Sequence, residues 1–194
     1  FSSGAASSCT NCDSGTFSAT KSSNCTDCPT GTFSGAAASS CTDCLSGKYS
    51  SEEGSSECAS CGAGTVQNAT GKTSCTPCQT GRFQGSTGQT SCDTCVAGFS
   101  TAGVTSAATA CTTCPAGYYS FGLATSCSAC PTGTYSGAAA SSCSDCSSGT
   151  FSSGAASSCT NCDSGQCAQI KLTLRSNVPD ASSKCQGYSK SRNN

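Results

Sequence analysis

Ten Cys-x-x-Cys pairs carry the chemistry open to this chain: Cys9/Cys12, Cys25/Cys28, Cys41/Cys44, Cys58/Cys61, Cys75/Cys78, Cys92/Cys95, Cys111/Cys114, Cys127/Cys130, Cys143/Cys146 and Cys159/Cys162. Paired thiols at this spacing serve four chemistries: structural disulfides, tetrathiolate zinc, thioredoxin-like exchange and iron–sulfur ligation. Thioredoxin-like exchange needs a reactive thiolate at a helix start within a βαβ pattern, and the sequence has none. Zinc ribbons use a similar Cys-x2-Cys-x12-Cys-x2-Cys spacing. A nearly uncharged, Ser/Thr/Gly-rich chain with glycosylation motifs favours disulfides in an oxidising compartment instead.

The rest of the composition removes most other functions. The 194 residues include no His, Met or Trp. That leaves no neutral-pH general base of the usual kind, no His-activated nucleophile and no His metal ligand. Leu, Ile, Val and Phe number only 16, far too few for an ordinary core, whereas Ser and Thr make up about a third of the chain. A net charge of −1 gives no basic face for nucleic acid. No apolar run approaches the ~20 residues of a membrane span. The sequence opens at Phe1 with neither Met nor signal peptide, so any leader or anchor is expected outside it. No cofactor is expected, and no catalytic or metal residues.

Stepping along the pairs reveals the elements that hold them. Successive first cysteines are 16 to 19 residues apart, the mark of a tandem array. Six residues after each first Cys stands a Gly, from Gly15 and Gly31 to Gly149 and Gly165, where a positive φ or a close backbone approach is expected. Two residues further on, an aromatic is usual: Phe17, Phe33, Tyr49, Phe83, Tyr119, Tyr135 and Phe151. A second Gly (Gly35, Gly54, Gly71, Gly103, Gly122, Gly137 or Gly154) precedes a Ser/Ala-rich return. No apolar stripe of helical period exists. The expected fold is a small, disulfide-rich, mostly irregular protein of short β-hairpins, stacked as an elongated tandem-repeat rod in which each repeat touches only its neighbours. Residues 1–165 form the ten repeats. Residues 166–194 form a C-terminal cap or tail, with a short strand at Ile170–Arg175 and a basic end.

Two pairing schemes fit the spacing. In the staggered scheme, adjacent pairs interlock first-to-first and second-to-second: Cys9–Cys25 with Cys12–Cys28, Cys41–Cys58 with Cys44–Cys61, Cys75–Cys92 with Cys78–Cys95, Cys111–Cys127 with Cys114–Cys130, and Cys143–Cys159 with Cys146–Cys162. Cys167–Cys185 then closes the tail. In the chain-like scheme, the second Cys of each pair joins the first of the next, as in Cys12–Cys25. Cys9, Cys162, Cys167 and Cys185 are then left over. Aromatics recur more faithfully in odd repeats than in even ones, and staggering puts the one 19-residue step between modules. Both observations favour the staggered scheme.

The strings CTDCPTGTFSGAAASSCTDC and CSACPTGTYSGAAASSCSDC resemble the ephrin-receptor-like cysteine-rich repeat, related in style to tumour-necrosis-factor-receptor modules. The likeness covers residues 1–165, and most repeats lack its Pro after the second Cys. It implies an extracellular, cell-surface setting such as that of protist or algal surface proteins. It also implies a disulfide rod, frequently with staggered bonds, and no catalysis.

Asn68 (Asn68-Ala69-Thr70) and Asn24 (Asn24-Cys25-Thr26) are candidate N-glycosylation sites, and the Ser/Thr content also suits O-glycans. Five of the nine basic residues lie in the tail, opposing an acidic array. The tail is expected to cap the last repeat, or else to dock on the array of a second copy. Asp27, Asp43, Asp145 and Glu52/Glu53 are too scattered for a Ca²⁺ loop. The expected function is a non-enzymatic structural rod: a stalk, coat or filamentous appendage contacting copies of itself or a surface scaffold protein, without membrane insertion of its own. The alternative is a spacer or ligand-binding region of a receptor ectodomain, whose mark would be one or two repeats with atypical loops. Residues 96–109 are the most deviant stretch, and they are merely longer.

Overall fold

The computed structural model describes residues 10–20 and 22–162. Among these residues there is no helix, and nine two-stranded antiparallel sheets follow one another. In the first hairpin, β1 (Thr16–Phe17) pairs with β2 (Thr26–Asp27). In the second, β3 (Thr32–Phe33) pairs with β4 (Thr42–Asp43). The same two-residue pairing recurs through to Thr150–Phe151 with Thr160–Asn161.

The residues dictate each hairpin's anatomy. In four hairpins the first strand is a Thr-aromatic dipeptide, a β-favouring pair: Thr16–Phe17, Thr32–Phe33, Thr134–Tyr135 and Thr150–Phe151. The second strand is the x-x of a Cys-x-x-Cys pair, so the cysteines flank it. A tight turn leads into the first strand. In the second repeat Thr32 donates from both its amide and its hydroxyl to the Pro29 carbonyl, at 3.1 and 2.7 Å, with Gly31 at φ +84° inside the turn. The amide of Cys44 then donates to Gly31 O at 2.9 Å and extends the ladder past β4.

A two-residue strand cannot bury an apolar face, and the interior is built from other groups. Second cysteines form its centre, with Cys28, Cys44, Cys61 and Cys114 fully buried. Around them lies the third residue after each turn glycine: Ser34, Ser50, Gln67, Gln84, Thr101, Ser120, Ser136 and Ser152, each buried. These polar side chains are satisfied by backbone. Ser34 Oγ donates to Thr16 O at 2.9 Å, Ser136 Oγ to Tyr118 O at 2.9 Å, and Gln67 Nε2 to Ser74 O at 2.8 Å. Among the described residues no buried side-chain N or O lacks a partner, as a stable polar interior requires.

Repeats reach further than their neighbours. Gly31 N donates to Ser50 O, one repeat on, at 2.8 Å. A Cβ on Gly31 would overlap the carbonyl of Gly71, two repeats on. Gly15 stands likewise against Gly54, and Gly47 against Gly88. The expectation that each repeat touches only adjacent ones is therefore corrected. The strands are so short that the return turn of the next-but-one repeat reaches the hairpin turn.

The chain divides into two compact units. One holds the residues up to Asp93 with Val104–Ala110, and the other Thr94–Gly103 with Cys111 onward. Both contain the same hairpin and the same bonds. The tail 166–194 lies outside the described residues, as do its expected strand and the Cys167–Cys185 pairing.

Candidate functional site: the disulfide ladder and its turns

The geometry that sets the cysteine chemistry is local. Cys25 and Cys28 flank β2 and are three residues apart, so along an extended strand they point to opposite sides. Cys25 is half-buried and Cys28 fully buried. The two cannot face the same neighbouring pair. One bonds backward and the other forward.

The observed bonds follow from this: Cys12–Cys25, Cys28–Cys41, Cys44–Cys58, Cys61–Cys75, Cys78–Cys92, Cys95–Cys111, Cys114–Cys127, Cys130–Cys143 and Cys146–Cys159. Every Cα–Cα separation is 5.6 or 5.7 Å, within the range that a disulfide spans. The staggered scheme is thereby corrected for Cys9–Cys25, Cys12–Cys28, Cys41–Cys58, Cys44–Cys61, Cys75–Cys92, Cys78–Cys95, Cys111–Cys127, Cys114–Cys130, Cys143–Cys159 and Cys146–Cys162. The 19-residue step from Cys92 to Cys111 is not a junction between modules, because Cys95–Cys111 bridges it. Closing loops of 13 to 16 residues is worth ~3 kcal/mol apiece in the chain-entropy picture. Cross-links thus replace the missing apolar core.

Each second cysteine has a further role. Its carbonyl accepts a hydrogen bond from a return turn further along the chain: Cys28 O from Gly54 N, Cys44 O from Gly71 N, Cys114 O from Ala139 N and Cys130 O from Ala155 N, at 2.8 to 2.9 Å. The donor always has positive φ. It is Gly54, Gly71 or Gly88 in some repeats, and Ala37, Ala107, Leu123, Ala139 or Ala155 in others. The second Gly picked out by the sequence meets this need only at some positions. Gly35, Gly122, Gly137 and Gly154 are not left-handed, and the alanine or leucine beyond each takes the place. The buried Ser/Gln position was equally missed, since one Ser among 41 carries no local mark of burial.

Among the described residues no cluster of three or more His, Cys, Asp or Glu suits a metal ion. Among them, too, no helix is long and apolar enough to cross a membrane. Asn24 and Asn68 are both exposed. Gln67 shapes the turn after Asn68 by accepting the Ala69 amide on Oε1 at 3.2 Å. At Asn24, the middle residue of the motif is tied to Cys12.

One return turn differs from the rest. Phe121 is 69% exposed and Leu123 50% exposed. Between them Gly122 lies against the backbone of Cys95–Ala97, beside Val96, itself 62% exposed. Phe121 meets Tyr119 edge to face, with ring centroids 5.3 Å apart. The more apolar turn is thus at 121–123, facing the start of the stretch 96–109 that the sequence marks as merely longer.

No curated protein matches the chain. The family model described as tyrosine-protein kinase ephrin type A/B receptor-like matches twice, over residues 31–74 and 64–110. Hairpins and bonds of one kind run through those stretches and past them, so residues 31–110, similar to ephrin-receptor-like cysteine-rich repeats, sit within a longer disulfide-rich array of the same build.

Proposed function

We propose that the array is a non-enzymatic structural element outside the cell, forming a stalk, coat or filamentous appendage by contact with copies of itself or a surface scaffold protein. Nine disulfides of one connectivity, repeated from Cys12 to Cys159, carry this reading. They suit an oxidising compartment, and the family match suggests the same setting. Near-identical repeats such as 31–44 and 133–146 supply length and not a unique catalytic constellation. Asn68 is the preferred N-glycan position and Asn24 the second, because the disulfide at Cys25 constrains the motif of Asn24. Electron microscopy of native material with a labelled antibody tests the reading. Continuous filaments or a regular coat are expected, and isolated membrane-tethered molecules would overturn it.

A receptor role is the second reading, and the exposed Val96, Phe121 and Leu123 favour it. It requires a ligand whose binding is lost on replacing Phe121 and Leu123 together by Ser. Unchanged capture of that ligand by the double variant would remove it.

A further inference from the structure

We propose that the array is a load-bearing tether of nearly fixed length, in which tension runs through the disulfides and by-passes most of the main chain. The inference deepens the structural reading above and rests on it.

The argument starts from connectivity. Between Cys12 and Cys159 there is a covalent path that alternates two kinds of link. One is a disulfide, crossing 5.6 to 5.7 Å between Cα atoms. The other is the short stretch from the first to the second Cys of a pair, such as Cys25 to Cys28 or Cys41 to Cys44. Each disulfide bridges a main-chain loop of 13 to 16 residues. Such a loop could stretch to roughly 45–55 Å if freed. Because the bond is far shorter than its loop, the bond carries the load and the loop stays slack. Nine bonds follow without a gap, since every first cysteine from Cys25 to Cys159 bonds backward and every second cysteine from Cys12 to Cys146 bonds forward.

The arithmetic is large. Pulled taut, the oxidised path from Cys12 to Cys159 measures about 140 Å, against about 500 Å for the same residues with every bond reduced. Unfolding the hairpins adds nothing to the first figure, because the return turns and first strands lie inside the by-passed loops. A staggered array would behave otherwise. The residues between modules, such as Cys28 to Cys41, would have no bridging bond, and the taut length would roughly double. A protein that must hold a set distance under pull gains from the observed connectivity, even when its hydrogen bonds break.

Single-molecule stretching of the full chain, held by handles at its two ends, tests the proposal. The oxidised chain should extend between Cys12 and Cys159 to no more than its taut path of about 140 Å as force rises, and a phosphine reductant should add about 36 nm of contour. The variant Cys44→Ala with Cys58→Ala should lengthen under oxidising conditions by about 4 nm, the loop that this one bond hides. An oxidised chain that extends well past the taut path of about 140 Å between Cys12 and Cys159 would overturn the proposal, as would a double variant with no gain. These readings concern the mechanics of the chain. Microscopy of native material asks where the chain is used, so the two ideas can fail separately.

Discussion

Gly31 stands against the carbonyl of Gly71, forty residues on, with no room between them for a single added carbon. Its φ of +84° adds a second demand for glycine. Gly31→Ala is therefore expected to cost more than ~2 kcal/mol, since neither backbone segment can retreat without breaking its hydrogen bonds. Gly54→Ala is a control. It shares a positive φ, but its Cβ would meet only the Asp27 carboxylate, at an ordinary 3.5 Å. A cost of ~1 kcal/mol is expected there. Calorimetry of the two oxidised variants decides; equal melting temperatures would deny the close approach its role.

The return turns contain strain that glycine would relieve. Ala37, Ala139 and Ala155 hold φ of 58° to 59°, a region that costs an L-residue ~1–2 kcal/mol. Replacing all three by Gly should stabilise the protein, by ~0.5 kcal/mol or more at each site after the entropy of a freer unfolded chain is subtracted. The check is the rise in melting temperature of the triple variant.

Cysteine substitution separates the pairing schemes directly. Cys44→Ala should leave the Cys58 thiol open to alkylation, with Cys28–Cys41 and Cys61–Cys75 intact in a non-reducing peptide map. Staggered bonds would leave Cys61 open instead. Loss of the bond should cost ~3 kcal/mol in melting experiments. A reductant should collapse the fold, and a chelator should leave it unchanged.

Much of this was legible in the residues. The register of the cysteines, the hairpin with its Thr-aromatic strand and the double demand on the Gly31 position each had a local signature. The bond partners had none, because both schemes join adjacent pairs over closable loops. The direction in which Cys25 and Cys28 point emerged only once the residues between them formed a strand. The left-handed return position was masked by Ala and Leu, which betray no need for positive φ in a sequence.

Buried serine is the last expectation to check. Ser34 and Ser136 each donate their hydroxyl to a carbonyl in the preceding hairpin. Ser34→Ala and Ser136→Ala should each cost ~1 kcal/mol. Ser153, outside the buried set, should tolerate Ala with no measurable change. Amide exchange at Ser34 and Ser136 should quicken in the respective variants, as the clasp on the previous hairpin loosens.

The longest loop, closed by Cys95–Cys111, keeps its neighbours' bonding despite its extra residues. Ala107 N still donates to Cys78 O at 2.8 Å, as Gly88 N does to Cys61 O. Added length bulges out around the exposed residues 104–106 and the ladder does not register it. That makes the stretch a natural insertion port. A foreign peptide grafted between Val104 and Ser106 would be displayed at one fixed rung, so that epitopes could be set at chosen intervals along an engineered scaffold.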